Sequence, residues 1–155
     1  MKIHVVAMTD NRSPEQRRHI MQSVRTKDTG PEQIVRKLLF RLGYRYRLHS
    51  RDLPGRPDIV FHGRRKAIFV HGCFWHSHGC AKGQAPRSKL DYWGPKLRAN
   101  QVRDTATAQK LERLGWSVLT IWQCEIKDMP TMEATLVAFL GPSVEKSIDT
   151  IRQIV

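Results

Sequence analysis

Apolar residues recur at two different spacings along this chain of 155 residues, and the spacings separate helices from strands. A spacing of three to four residues predicts helices over residues 14–24, 30–42, 95–114 and 132–140. Short apolar or alternating runs predict strands over residues 44–48, 59–61, 66–70 and 117–122. This order of elements predicts a mixed β-sheet flanked by helices, of the α/β or α+β class.

Capping residues support these boundaries, and the same pattern predicts which residues are buried. Ser13 and Thr29 are typical helix caps with a proline close behind them. We expect the strand over residues 117–122 to be buried on both faces because of its composition. We expect the inner face of the first helix to consist of Ile20, Met21 and Val24.

A compact loop rich in thiols and imidazoles, residues 71–80, follows the strand over residues 66–70. Cys73, His78 and Cys80 offer metal ligands within eight residues, and Cys124 follows the strand over residues 117–122. If the two strands are neighbours, Cys124 completes a tetrahedral set of three sulfurs and one nitrogen. Such a set suits a structural zinc ion and leaves no open coordination position.

Two other states of the cysteines are open at this point: buried free thiols, or one disulfide and a spare thiol. Three cysteines is an odd number, and no secretory signal indicates an oxidising compartment. We therefore favour zinc. A structural zinc contributes about 10 to 16 kcal/mol of coupled binding and folding, which is enough to fix a loop with little apolar core.

An acidic residue and a histidine stand at the ends of two strands that should be neighbours. Asp58 precedes the strand over residues 59–61, and His71 follows the strand over residues 66–70. In an antiparallel hairpin the start of one strand lies beside the end of the next, so these side chains should be close. Together they can hold a metal ion and a reacting water, although Asp58 can equally be a turn residue.

The charge balance indicates a polyanionic partner. The chain has 27 Lys and Arg against 14 Asp and Glu, a formal net charge of +13, spread along its whole length. Nucleic acid is the leading partner, and a basic surface that serves only solubility is the alternative. No stretch approaches the roughly 20 apolar residues of a membrane span, and we expect a cytoplasmic protein. On the long helix the residues available for phosphates are Lys96, Arg98, Arg103 and Lys110.

Several large aromatic residues lie in loop or polar segments, from which they cannot easily pack into a hydrophobic core. Phe74 and Trp75 belong to the cysteine-rich loop, and Trp93 lies in a polar segment before the long helix. These rings can stack on bases or enter between them as wedges. Alternatively, they cover the sheet of the domain itself.

Several motifs together resemble the very-short-patch-repair (Vsr) DNA mismatch endonucleases, from about residue 13 to residue 127. Enzymes of that family are similar in fold to type II restriction endonucleases, so the resemblance implies a restriction-endonuclease-like mixed sheet. Phe69-Val70-His71 stands where those enzymes have an acidic-x-Lys triplet, as the family itself departs from it. The matching motifs are Leu53-Pro54-Gly55-Arg56-Pro57-Asp58, Phe69 to Trp75 with His76, the Cys/His spacing, Tyr92-Trp93, and Leu114-Gly115-Trp116 through Trp122-Gln123-Cys124.

The resemblance implies a Mg²⁺-dependent nick on the 5′ side of the thymine in a G·T mismatch left by deamination of 5-methylcytosine. Asp58 would hold the catalytic Mg²⁺ with the backbone carbonyl of Val70, and Glu32 would orient a water held by that ion. His71 and His76 would act as base or phosphate-contacting groups. Well-known members have threonine where this chain has Val70, but every residue type supplies a carbonyl. The implied wedges beside the mismatch are Phe74, Trp75 and Trp93.

The resemblance also implies partners and boundaries. Residues 13–140 would form the endonuclease domain, with an N-terminal extension at 1–12 and a C-terminal tail at 141–155. We expect a monomer acting on double-stranded DNA, in functional association with a cytosine-5 DNA methyltransferase and with mismatch-repair proteins. Two other functions remain open: a zinc-stabilised DNA-binding module without catalysis, and a restriction-type nuclease that cuts paired DNA.

Overall fold

A computed structural model describes residues 11–23 and 27–143 of the chain. Val24 and most of the two predicted terminal segments, at 1–10 and 144–155, lie outside the described residues. In the described part the elements are α1 (Pro14–Ser23), α2 (Gly30–Arg41), β1 (Arg47–Leu48), β2 (Ile59–Phe61), β3 (Lys66–His71), α3 (Leu90–Arg113), β4 (Ser117–Trp122) and α4 (Met129–Leu140). The predicted mixed α/β class is confirmed.

The four strands form one sheet in the order β1-β2-β3-β4. The first three are antiparallel neighbours, whereas β4 runs parallel to β3 over six residue pairs, from Lys66 opposite Ser117 to His71 opposite Trp122. Because β3 and β4 run side by side in the same direction, the segments that follow them leave the sheet at the same edge. Cys73 and Cys124 belong to those two segments.

Both faces of the sheet are covered by helices. Strand alternation sends Ile59 and Phe61 of β2 to one face and Val60 to the other. Phe69 of β3 packs on the second face, so His71, two residues further on, also lies on that face. The cluster on the first face, under α2 and α4, contains Val35, Leu38, Leu39, Tyr44, Ile59, Phe61, Ile68, Val70, Ile121, Ile126, Met132, Leu136 and Leu140. The cluster on the second face, under α3, contains Leu53, Val60, Ala67 and Leu111.

Two strand predictions are wrong in detail. The strand expected over residues 44–48 is only two residues long. Tyr44 lies at the end of the turn that follows α2, and its N–H still bonds back to the carbonyl of Leu39 in that helix. The prediction that β4 is buried on both faces is wrong, since Ile121 is its only buried residue. Within the described sheet β4 is an edge strand with one neighbour, so its composition overstates its burial.

The prediction for the inner face of α1 is wrong for Ile20, and Val24 lies outside the described residues. Ile20 is exposed and Met21 is half-buried, whereas Arg17 is the buried residue of this helix. The guanidinium of Arg17 donates to the carbonyl of Arg12 and lies 5.3 Å from the ring centroid of Tyr92 in α3. Helix α1 therefore contacts α3 through a cation–π interaction.

Helix α3 begins five residues earlier than the proline at position 95 indicates. Trp93 is buried at 7% exposure, and its N–H bonds to the carbonyl of Lys89. Pro95 lies inside the second turn, where it removes one backbone hydrogen bond. Burial of a tryptophan outweighs that loss, because it removes a large apolar surface from water.

Part of the positive charge is used inside the fold. Arg64 donates to the carbonyls of Leu140 and Pro142, and Lys66 donates to the carbonyl of Phe139. These cations satisfy carbonyls at the C-terminal end of α4, where positive charge is favoured by the helix dipole. The net charge of +13 therefore overstates the charge available to an external polyanion.

The turn before Asp58 depends on Gly55. This residue has φ +72°, and a Cβ built on it would lie 2.2 Å from Cγ2 of Thr107 in α3. We expect Gly55→Ala to lower the free energy of unfolding by about 2 to 4 kcal/mol through backbone strain and overpacking. Chemical denaturation measures the loss. Gly63→Ala is the matched control, since no heavy atom lies within 4 Å of its added Cβ. Equal stability of the two variants would contradict the prediction.

None of the helices in the described ranges is both long and apolar enough to cross a membrane.

Candidate functional site

One cavity of about 1110 Å³ opens where β2 begins and β3 ends. It brings together five residues that the sequence nominates: Glu32, Asp58, Val70, His71 and His76. Cationic side chains also line it, namely Lys27, Arg56, Lys96 and Arg103. A concave site with clustered titratable groups and a cationic lining suits a phosphate-containing substrate.

Asp58 is held at the start of β2 by the neighbouring strand. Its Oδ2 accepts a hydrogen bond of 2.8 Å from the backbone N–H of Val70, and 17% of its side chain is exposed. Burial raises the pKa of Asp58 from its ordinary 3.8 to about 6, and the nearby charge of Glu32 adds to the rise. The hydrogen bond from Val70 and the charges of His49 and Arg36 oppose it. A carboxylate kept in this position at a cost in solvation is typical of a functional site.

The carbonyl of Val70 is left without a partner from β2. The carbonyls of Arg65, just before β3, and of His71, at its end, accept from Ser117 and Gln123 on the β4 side, so alternation turns the carbonyl of Val70 toward β2. Extending the β2–β3 register places Pro57 opposite Val70, and proline has no N–H to donate. A carboxylate and a free carbonyl form the oxygen ligand set that Mg²⁺ prefers. Asp58 and the carbonyl of Val70 therefore fit a magnesium ion. Threonine at position 70 would add a hydroxyl, which this ligand set does not require.

Glu32 is buried at 3% exposure and serves as the capping carboxylate of α2. Its oxygens accept from the backbone N–H of Asp28 at 3.0 Å, from the hydroxyl of Thr29 at 2.9 Å and from Arg36 at 2.7 Å. Glu32 is thus part of a capping arrangement at the start of α2, which by itself accounts for a carboxylate at this position. The same residue lines the cavity, so capping holds a carboxylate beside Asp58.

His71 and His76 form a stacked pair. Their ring centroids are 3.7 Å apart with an interplanar angle of 7°. Nδ1 of His76 is hydrogen-bonded to the carboxylate of Asp104 in α3. The pKa of His71 is lowered from 6.5 to about 4, mainly by burial and also by the adjacent His76, while the charge of Asp104 opposes the shift. His71 is therefore neutral at neutral pH.

Asp58 and His71, which the sequence predicts to be close, have different bonding and stacking partners. The carboxylate of Asp58 bonds to the backbone of Val70, whereas the ring of His71 lies beside His76 and Asp104. Both side chains line one cavity, but the histidine pair forms a separate group on its α3 side.

The cysteine-rich loop forms the predicted cluster of ligands. The ligand atoms of Cys73, His78, Cys80 and Cys124 all lie within 4.8 Å of one another, and Nδ1 of His78 is 3.4 Å from Sγ of Cys124. The three thiols are free, so the disulfide alternative is excluded. A set of three sulfurs and one imidazole nitrogen can hold a metal ion, and its chemistry fits zinc.

The thiols of this cluster differ in their protonation. A hydrogen bond with His78 is the largest cause of a Cys80 pKa of about 6. Burial, together with the neighbouring Cys73 and Cys80, raises the pKa of Cys124 to about 11.

The three aromatic residues proposed as wedges pack on one another. The ring centroid of Phe74 lies 5.0 Å from that of Trp75 and 5.2 Å from that of Trp93. Phe74 and Trp75 are half-buried, whereas Trp93 is buried. The carbonyl of Trp75 accepts from the side-chain amide of Asn100 at 2.8 Å, which ties the loop to α3. In this conformation Trp93 supports the two outer rings and is not itself presented to a ligand.

Sequence reasoning missed four residues of the site. Asp104 lies on the polar face of α3, where a charged residue is ordinary, so the sequence alone does not single it out. Trp122 stacks on His78 with ring centroids 4.3 Å apart. Arg36 and His49 belong to none of the sequence motifs, although Arg36 donates to Glu32 and His49 lies beside Asp58. Only Trp122 could have been found in advance, from the pairing of β3 with β4, which sets it opposite His71.

Comparisons with known proteins show which family the sequence resembles. The sequence model of the family described as DNA mismatch endonuclease Vsr matches residues 9–82. The type II nicking enzyme V.XorIIP of Xanthomonas oryzae pv. oryzae (strain KACC10331 / KXO85) is 57% identical over 136 residues, which cover 88% of this chain and 100% of that protein. The DNA mismatch endonuclease Vsr of Escherichia coli (strain K12) is 37% identical over 120 residues, 77% of each chain.

Among solved structures, the catalytic domain of the homing endonuclease I-Bth0305I is similar, with a TM-score of 0.50 over 72% of this chain and 94% of that one. Its sequence identity is 20%, so this likeness concerns the fold alone. The similarity in sequence to the curated relatives spans most of their length as well as most of this chain. The chain therefore belongs to the Vsr family of DNA endonucleases.

Proposed function

We propose that this endonuclease nicks one DNA strand on the 5′ side of the thymine in a G·T mismatch and so begins repair of deaminated 5-methylcytosine. The observation that carries the proposal is the cavity that holds Asp58, the Val70 carbonyl, Glu32 and the histidine pair beside a group of half-exposed aromatic rings. A mismatch is easier to open than a paired step, so aromatic rings next to the reacting groups favour it.

Asp58 and the Val70 carbonyl are the residues that would hold Mg²⁺. When bound there, the ion supplies positive charge against the scissile phosphate and lowers the pKa of a water. Glu32, fixed by its capping contacts, orients the attacking water within the cavity. The cations Lys96 and Arg103 lie on the cavity wall and contact backbone phosphates.

His76 is the residue that handles the proton. Because a carboxylate only accepts, the Asp104 contact places the proton of His76 on Nδ1 and leaves Nε2 as the acceptor. His71, neutral and stacked on His76, restricts the ring to this orientation. His76 is therefore the general base of the proposal, and His71 lies beside the phosphate as a neutral hydrogen-bonding group.

Phe74 and Trp75 are the wedge that enters the base stack, with Trp93 beneath them. Unstacking costs a few kcal/mol, and the cost is smaller at a mispair. The Cys73, His78, Cys80 and Cys124 cluster holds a structural Zn²⁺ and fixes the loop that carries the two outer rings. Trp122, stacked on His78 and edge-on to His71, joins that zinc loop to the histidine pair.

Asp104→Asn should lower kcat for nicking by about 100-fold or more, because an amide neither fixes the His76 tautomer nor stabilises the imidazolium. The concentration of DNA at half-maximal rate should stay unchanged, since Asp104 supplies no positive charge for binding the phosphates of DNA. Single-turnover kinetics on a mismatched duplex separate the two quantities. Asp91→Asn, an exposed acid in the first turn of the same helix, is the matched control. An equal effect of both substitutions would contradict the role of Asp104.

The decisive experiment compares two end-labelled duplexes, one with a G·T pair in a methylation-type context and one fully paired, in the presence of Mg²⁺. Asp58→Ala replaces a chelator as the negative control, because a chelator also removes zinc. Nicking of the mismatched duplex alone, on the thymine strand and only with Asp58 present, supports the proposal. Equal cutting of both duplexes indicates a restriction-type nuclease, and binding without cleavage indicates a DNA-binding module.

The remaining parts of the proposal concern partners. One active site is sufficient for a nick, so we propose a monomer acting on double-stranded DNA. A cytosine-5 DNA methyltransferase creates the base whose deamination gives the mismatch, and mismatch-repair proteins act on the same lesion. These associations are functional and need no contact with this chain.

A further inference from the structure

A strained arginine stands two residues before Asp58, in the turn that leads into β2. Arg56 has φ +51°, in the left-handed region that residues other than glycine rarely adopt, because Cβ then crowds the following carbonyl. It also precedes Pro57, and the residue before a proline prefers an extended backbone. An arginine kept in such a conformation indicates that its side chain serves a purpose outside the turn.

The side chain of Arg56 is exposed and not used by the fold. Across the part of the chain that the structure describes, its guanidinium makes no hydrogen bond, ion pair or ring contact. Two other cations of the cavity are engaged. NH2 of Arg103 donates to Oδ1 of Asn100 at 2.7 Å, and Nζ of Lys96 lies 5.7 Å from the ring centroid of Tyr92. Arg56 is therefore a positive charge at the cavity that remains available to a ligand.

Arg56 and Asp58 border the same cavity. Pro57 between them is fully buried, and the residues on both sides of it line the cavity. The charges that act on the Asp58 carboxylate come from His49 and from residues of α2. The guanidinium of Arg56 does not pair with this carboxylate, and so it does not compete with an ion held there. A phosphate that meets the ion at Asp58 has a free guanidinium in the same turn.

A guanidinium suits the oxygens of a phosphate better than any other side chain. Its planar fork of donors matches two oxygens, and such charge-assisted bonds are roughly twice as strong as neutral ones. Negative charge increases on the phosphate oxygens during phosphodiester cleavage. A cation that is already fixed in place therefore stabilises the transition state more than it stabilises the bound substrate.

We propose that Arg56 is a further catalytic residue, whose guanidinium binds the non-bridging oxygens of the scissile phosphate and stabilises the charge that develops on them. The inference rests on the proposed nicking activity. Arg56 differs in this role from a cation that only adds affinity for DNA, because its loss lowers kcat more than it weakens binding.

Arg56→Asn removes the guanidinium and leaves the turn intact, since asparagine tolerates the left-handed region better than most residues. Its kcat for nicking should fall by about 100- to 1000-fold, the usual effect of losing one donor to the transition state. Arg56→Lys keeps the charge but loses the planar fork, and its kcat should lie between that of Arg56→Asn and that of the wild type.

Arg65→Asn is the matched control. Arg65 is also an exposed arginine with a left-handed backbone, at φ +50°, and its side chain has no partner among the described residues. It does not line the cavity, so its replacement should leave kcat unchanged. An equal loss of kcat in Arg56→Asn and Arg65→Asn, or the wild-type kcat in folded Arg56→Asn, would overturn the proposal.

Thermal melts separate this role from a structural one. Both asparagine variants should melt at the wild-type temperature or above it, because asparagine relieves strain at positive φ. If Arg56→Asn alone melts well below the wild type, Arg56 stabilises the turn and the proposal is wrong.

A modified duplex identifies the phosphate without any need for cleavage. A methylphosphonate removes the charge of one phosphate, and fluorescence anisotropy measures binding to Asp58→Ala protein, in which we expect no nicking. A methylphosphonate at the scissile position should weaken binding by about 10-fold, the usual loss of a hydrogen bond to a charged group. Adding Arg56→Asn should abolish that difference. Placed two phosphates further along, the same modification should affect both proteins equally. An equal loss at the scissile position with and without Arg56 would contradict the inference.

This inference and the proposed function can fail separately. If the wild type cuts paired and mismatched duplexes alike, mismatch specificity fails, and the kcat ratio on either duplex still decides the role of Arg56. If it cuts neither, the proposed function fails, and moving the methylphosphonate along both strands still decides whether Arg56 binds one particular phosphate. Absence of any position at which the two proteins differ would overturn the inference about Arg56 as well.

Discussion

Replacement of Asp58 by asparagine should abolish nicking and at the same time make the protein more stable when no Mg²⁺ is bound. In the proposed mechanism the ionised carboxylate holds the ion, so we expect a rate loss of at least about 1000-fold, within the range of charge-stabilising groups in enzymes. Asparagine keeps the oxygen that accepts from the Val70 N–H, so the β2–β3 edge retains its hydrogen bond. The gain in stability follows from the raised pKa of Asp58.

The sign of the stability effect is set by the direction of the pKa shift. Burial raises the pKa of Asp58 to about 6 from an ordinary 3.8, so the folded protein binds this proton more tightly than the unfolded chain does. At pH 7 both states are ionised, and the folded state loses on the order of 3 kcal/mol for holding the charge out of water. That loss disappears as the pH falls from about 6 toward 4, and asparagine removes it at every pH.

Thermal melts of zinc-loaded protein between pH 4 and 7, without Mg²⁺, measure this contribution. The melting temperature of Asp58→Asn should exceed that of the wild type at pH 7, and the difference should shrink toward pH 4. Asp52→Asn is a control of opposite sign, because a hydrogen bond from Ser50 lowers the pKa of Asp52. Its removal should slightly destabilise the protein across this whole pH range, because the stability that a lowered carboxyl pKa contributes is lost only as the pH falls below about 4. If Asp58→Asn is less stable than the wild type at pH 7, the carboxylate is not strained in the folded state.

The sequence was informative wherever one physical signal dominated. The spacing of Cys73, His78, Cys80 and Cys124 indicated a metal cluster. These four ligands come together as soon as the ends of two strands are adjacent, and the pairing of β3 with β4 makes them so. The cap at Thr29 placed the start of α2 within one residue, since capping is local chemistry. The mixed sheet followed from the order of apolar runs.

The sequence was less informative where tertiary contacts compete with local preference. Proline at position 95 predicted a helix start, but Trp93 gains more by packing against Phe74 and Trp75 inside a longer helix. Asp104 and Arg36 are charged residues in amphipathic helices, where charge is the normal composition of the outer face. Only the packing of α3 on His76 and of α2 on His49 separates these two from the other charged positions.

The strongest test of the zinc cluster uses glycine rather than a ligand. Gly83 lies just after Cys80, and a Cβ built on it would lie 1.9 Å from the carbonyl oxygen of His78 and 2.8 Å from its nitrogen. No flexible side chain can yield there, so Gly83→Ala must displace the backbone that carries His78. Gly79 stands between two ligands, yet its added Cβ meets no heavy atom within 4 Å. The two alanine variants therefore differ in geometry and hardly at all in chemistry.

We expect the wild type and Gly79→Ala to contain about one zinc per chain, and Gly83→Ala to bind it far more weakly and melt at a lower temperature. Cys73→Ser, which removes a fully buried ligand, should lose the metal altogether. Structural zinc supplies about 10 to 16 kcal/mol, more than the net stability of most domains of this size, so loss of the ion should unfold the loop or the whole chain. Release of zinc into a chromogenic chelator and differential scanning calorimetry measure the two effects.

The same pair of variants connects the zinc cluster to catalysis. Trp122 stacks on His78 and lies edge-on to His71 and His76, so displacement of His78 removes one wall of the histidine pair. Gly83→Ala at saturating zinc should therefore nick more slowly than Gly79→Ala, even when the metal content of the two variants is equal. Equal rates at equal zinc content would mean that the cluster only holds the loop, and that the contacts of Trp122 do not orient the histidines.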